Sequence, residues 1–94
     1  FSHIPNFAFE NFNNLINLDL SSNQINKVHM KAFSRLAYLR EFSLKENNIR
    51  EINLDLKDSK ILNLLDLSLN KIANLSNETF TILSNLNTLI FKPE

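Results

Sequence analysis

Two histidines, a scatter of carboxylates and a long series of asparagines are the side chains here with chemistry to offer. His3 and His29 could hold a metal ion, but the chain contains no cysteine and pairs neither histidine with a second one at ligand spacing. Glu10, Asp19, Glu41, Asp55 and Asp66 could act as acids or bases only where an apolar surrounding raised a pKa. Each instead stands at an outward or turn position, and no Ser-His-Asp grouping shares a surface. The reading is two solvated histidines, no metal, no cofactor, no catalytic residue and no enzyme. Asn74-Leu75-Ser76 and Asn77-Glu78-Thr79 are N-glycosylation triplets, so Asn74 and Asn77 are candidates for a covalent glycan. Asn23, Asn47 and Asn70 recur in phase, which points to a structural duty rather than a reaction. A side chain at the same place in each of three bends could satisfy backbone groups that no strand partner reaches.

The elements that carry these residues follow from a repeat. Leu15, Leu18, Leu20, Asn23 and Ile25 set a skeleton that returns as Leu39, Phe42, Leu44, Asn47 and Ile49, then as Leu62, Leu65, Leu67, Asn70 and Ile72. A fourth copy begins at Leu86, Leu89 and Phe91, giving spacings of 24, 23 and 24 residues. The pattern extends to an apolar column at Val28, Ile52 and Leu75, a phenylalanine column at Phe9, Phe33 and Phe80, and a column at Phe12, Leu36 and Leu83. The boundaries are a partial repeat at 1–14, repeats at 15–38, 39–61 and 62–85, and a partial repeat at 86–94, all in one module. The middle repeat is one residue short. Leu56 takes its phenylalanine place and Ser59 the next, so its outer arc at 54–61 is expected to differ in shape.

Alternation near 15–20, 39–44, 62–67 and 86–91 predicts short strands running in one direction, stacked as a parallel sheet. The return arcs, apolar at Phe33, Leu36 and Leu39, should close the core as turns, 3₁₀ segments or a short helix. Glycine is absent from the 94 residues, so Asn, Asp, Ser or ordinary residues must make every turn.

Composition narrows the function. The chain has 10 basic and 10 acidic residues and a formal net charge of zero, which gives no basic field for nucleic acid. At 44% apolar and 21% charged it is globular, and no run approaches the ~18 apolar residues of a membrane span.

The unit Leu-x-x-Leu-x-Leu-x-x-Asn-x-Ile-x-x-Val, followed by Phe-x-x-Leu, resembles the typical leucine-rich repeats of animal extracellular proteins. Ile4-Pro5, Ala8-Phe9 and Ala32-Phe33 match the phrasing of that class, which includes Toll-like receptors, small leucine-rich proteoglycans and adhesion proteins. The resemblance implies an α/β leucine-rich-repeat solenoid, a right-handed horseshoe segment with a concave parallel sheet. It also implies a protein ligand or co-receptor and an extracellular or cell-surface location. Without cysteine caps, the chain is expected to be an internal stretch of a longer array, packed against neighbouring repeats and marginal when isolated.

Function should then lie in the outward positions of the sheet. These form columns: Asn17, Glu41, Leu64, Thr88; then Asp19, Ser43, Asp66, Ile90; then Ser21, Lys45, Ser68, Lys92; then Ser22, Glu46, Leu69, Pro93. Leu64, Leu69 and Ile90 are apolar where polar residues would cost nothing, and so form the candidate contact patch. The alternatives are a structural spacer in a secreted matrix protein and a cytosolic repeat protein.

Overall fold

The computed structural model describes residues 2–75, 79 and 88–90. Four strands, β2 (Asn17–Asp19), β4 (Glu41–Ser43), β6 (Leu64–Asp66) and β8 (Thr88–Ile90), lie side by side in that order. All their pairings are parallel, joining Asn17 to Glu41, Glu41 to Leu64 and Leu64 to Thr88. The offset between partners is therefore 24, 23 and 24 residues, the spacing of the leucines. The strands are three residues long, shorter than the six-residue alternation suggests, because each chain turns away while coil-to-coil bonding continues. Leu20 and Ser22 still donate their amides to the Ser43 and Lys45 carbonyls, at 2.9 and 3.0 Å, although Ser22 has already gone left-handed.

The inward residues stack coil on coil. Phe42, Leu44, Leu65, Leu67, Ile25 and Ile49 are all fully buried. Leu18 and Leu20 are only half-buried, since a described coil covers them on one side alone. Burying one such leucine stabilises the coil by about 1.5–3 kcal/mol.

A second set of pairings lies on the descending side. There, β1 (His3–Ile4) pairs with β3 (Lys27–Val28), and β5 (Glu51–Ile52) with β7 (Asn74–Leu75), again in parallel. The column Val28, Ile52, Leu75 is thus a series of two-residue strands, which the repeat pattern marked only as apolar. β3 and β5 are not paired. Coil-to-coil bonds flank that gap at Asn48 to the Ile25 carbonyl, 2.7 Å, and at Asp55 to the Met30 carbonyl, 2.8 Å.

Residues 2–75 contain no α-helix, so over this span the helical half of the α/β expectation gives way to turns. Bonds of the i to i+3 kind recur, from Ala32 to His29, Leu39 to Leu36, Ser59 to Leu56 and Leu62 to Ser59. Arg35, left-handed at φ 69°, sits in the middle of its arc and prevents these turns from propagating into a helix. One 3₁₀ segment spans Glu10–Phe12. An aromatic spine crosses the core: Phe9 stacks on Phe33 at 5.5 Å between centroids, and Phe33 meets the edge of Phe42 at 4.5 Å.

In the next column Leu36 is fully buried, whereas Phe12 is exposed on the first coil. Ser59 fills that column in the short repeat, and its hydroxyl donates to the Leu36 carbonyl at 2.8 Å. Leu54 and Leu56 are both buried there, and the Leu54 amide donates to Thr79 Oγ1 at 3.0 Å. Phe80 and Leu83 lie outside the described residues.

Candidate functional site

Parallel register brings the outward residues of the sheet into columns. Asn17, Glu41, Leu64 and Thr88 are direct partners, as are Asp19, Ser43, Asp66 and Ile90. Asn17, Asp19, Glu41, Lys45 and Thr88 are exposed, while Ser43, Leu64 and Asp66 are half-buried. The side chain of Ile90 lies outside what the structure describes.

Two coils carry the same local device. Ser21 gives both its amide, at 3.0 Å, and its hydroxyl, at 2.6 Å, to Asp19 Oδ1; Ser68 does the same for Asp66 Oδ1 at 3.0 and 2.6 Å. In the coil between them, the Lys45 amide donates to Ser43 Oγ at 3.2 Å. The Ser21 hydroxyl, helped by the Ser21 amide, holds the Asp19 pKa below 3.8, against a slight opposing effect of desolvation. Such a carboxylate is a fixed negative charge, unsuited to proton transfer at neutral pH.

Where the strands end, the asparagines reach across coils. Asn47 Oδ1 accepts from the amides of Asn23 and Ile25, at 3.0 and 2.9 Å, and its Nδ2 donates to the Leu20 and Leu44 carbonyls, at 3.0 and 2.9 Å. Asn70 repeats this one coil later, accepting from Ile49 at 3.1 Å and donating to Leu44 at 2.8 Å and Leu67 at 3.2 Å. Asn23 differs from the buried side chain expected of it: it is exposed, and among the described residues its Nδ2 donates only to the Ser21 carbonyl, at 3.2 Å. The two buried asparagines reach backward by a coil, and before Asn23 only the descending half of such a coil is described.

The left-handed residues Ser22, Glu46 and Leu69, with φ of 59, 58 and 56°, occupy one column at the strand exits. Without glycine, ordinary side chains take a conformation that glycine adopts freely. Leu69 is the unusual member, apolar and 37% exposed.

Apolar exposure is greater on the ascending edge, where the motif columns gave no signal. Ile16, Tyr38 and Ile61 are 54, 57 and 45% exposed. They stand at the lead-in to three successive strands, and Ile61 lines a hollow of about 410 Å³ there with Asn17, Arg40, Glu41 and Asn63. Inspecting the non-motif columns for apolar residues would have found Tyr38 and Ile61, which share one.

Asn74 is held in β7 by backbone pairing with Glu51, and Asn77 lies outside the described residues. His3 is exposed and His29 half-buried, in separate coils. Among the described residues no group of three His, Asp or Glu could hold a metal ion, and no helix is long and apolar enough to cross a membrane.

The family profile described as leucine rich repeat matches residues 1–49, just over half of the chain. The chain belongs to the leucine-rich repeat family. It is similar to Epiphycan of Gallus gallus, 39% identical over 83 residues that cover 86% of this chain and 25% of that protein. It is also similar to Tsukushi of Gallus gallus, 36% identical over 69 residues covering 73% of this chain and 19% of that protein. The chain therefore spans a quarter or less of the length of these relatives. Repeats of this family serve as protein-interaction modules.

Proposed function

We propose that the chain is a protein-binding segment of an extracellular leucine-rich repeat protein, and that the outward face of its sheet, the concave side of a horseshoe, meets the partner. The observation that carries this is Leu69, a large apolar side chain exposed in a left-handed conformation on the same coil as Leu64. That combination costs the fold energy without adding to the core, which fits selection for contact rather than stability. Around the two leucines, Asn17, Asp19, Glu41, Ser43, Lys45, Asp66 and Thr88 would make the polar rim, with Ile90 extending the patch.

The extracellular assignment rests on the repeat class and on the triplets at Asn74 and Asn77, as well as on two secreted relatives. Those relatives also favour a second reading, a segment of a secreted matrix protein that sets curvature and carries glycans, over the receptor-type ectodomain.

Photo-crosslinking tests the choice. A crosslinker at position 69 of the full-length protein should capture a partner that one at exposed position 57 does not, and Leu64→Ser should abolish the capture with the melting temperature retained. Equal capture from both positions would leave the spacer reading in place.

A further inference from the structure

The zero net charge conceals a segregation by side. Four carboxylates, Asp19, Glu41, Glu46 and Asp66, lie on the sheet face or at its exits, with Lys45 the one cation of those columns among the described residues. The descending side has the opposite balance. Lys27, Arg50 and Lys71 fall on three successive coils there, all exposed, with Glu51 the acid beside them. Arg50 sits one residue, and Lys71 three residues, further back along the coil than the place of Lys27. The three thus run obliquely across the coils. None of them is held in an ion pair among the described residues.

A second feature coincides with this stripe. The ladder is broken between β3 and β5, and the break opens a hollow of about 460 Å³ lined by His3, Asn26, Lys27, Arg50 and Glu51 among others. Asn26 offers an amide that both donates and accepts, and Arg50 a fork of donors suited to a two-oxygen anion.

We propose that this flank binds an acidic glycan, with the anionic groups of the sugar chain along Lys27, Arg50 and Lys71 and a ring with its hydroxyls in the hollow beside Asn26. This surface is distinct from the sheet face and does not depend on the protein-binding reading. A linear polyanion suits an oblique row of cations crossing coils. Among the described residues the hollow is lined by no Phe, Tyr or Trp, its single aromatic ring being His3, and its one apolar member, Val28, is half-buried, which leaves an acidic peptide no anchor.

The test is titration of the full-length protein with a heparin-derived octasaccharide at several salt concentrations. It uses an Asn74→Gln, Asn77→Gln background, so that no attached glycan competes. Lys27→Ser, Arg50→Ser and Lys71→Ser should each weaken binding about two- to fivefold. Each should also lower the slope of log K against log salt by about 1. Glu51→Gln should tighten binding, an outcome that unfolding cannot imitate. Lys57→Ser and Lys60→Ser, on the return arc, remove the same charge elsewhere and should change neither quantity. Equal losses from the arc variants, no change on Arg50→Ser, or displacement of the octasaccharide by polyglutamate or duplex DNA at matched charge would each overturn the proposal.

Discussion

Asn47 and Asn23 occupy the same place in consecutive coils and have different surroundings, so they form a matched pair for measurement. Asn47→Ala would leave the buried Ile25 amide and Leu44 carbonyl without their side-chain partner, and should destabilise the protein by about 1–3 kcal/mol in urea or thermal melts. Asn23→Ala removes one exposed bond and should stay within about 0.5 kcal/mol of the parent. Equal effects would mean that the bends are not held by the cross-coil bonds. Leu69→Asn places in the left-handed column a residue that tolerates it, and should raise stability by roughly 0.5–1 kcal/mol while removing a proposed contact. A chemical-shift titration checks Asp19. Its folded pKa lies below the 3.8 of the free chain, so its contribution to stability is complete above that value and is lost as pH falls through the lowered one. Ser21→Ala removes the larger cause, and should move the Asp19 midpoint upward towards the ordinary range.

Among the elements, the aromatic spine and the strand ladder differ in how visible they are along the chain. Phe9, Phe33 and Phe42 recur in apolar columns, and Phe33 is buried between its two neighbours. Phe33→Ala should cost about 3–5 kcal/mol by calorimetry, against little for exposed Phe12→Ala from a column of the same character. The strand register and the composition of the sheet face were legible because four copies agree on the three apolar strand positions, and three of them on the asparagine that follows. The descending strands were not, because each has only two residues, too few for an alternation to show. The return arcs escaped for another reason: Arg35 adopts a left-handed conformation that its residue type does not announce. Exposure at Ile16, Tyr38 and Ile61 was hidden as well, since these positions vary freely from copy to copy.

At the scale of the molecule, each coil bonds only to its neighbours, so local openings stay local. Hydrogen exchange should show this at the gap between β3 and β5. The Asn26 amide, bonded to the Ser2 carbonyl at 2.8 Å, should exchange more slowly than the Arg50 amide, which lacks the equivalent bond to the coil before it. Equal rates would mean that the gap closes in solution. The backward reach of Asn47 and Asn70 also has a consequence in time. Asn47 closes a bend whose Asn23 amide was made 24 residues earlier. On a ribosome adding about 5–20 residues per second, each finished bend therefore waits roughly 1–5 s for the side chain that locks it. Whenever the chain has emerged past Asn23 but not yet to Asn47, that turn stands unlatched and open to chaperones and proteases.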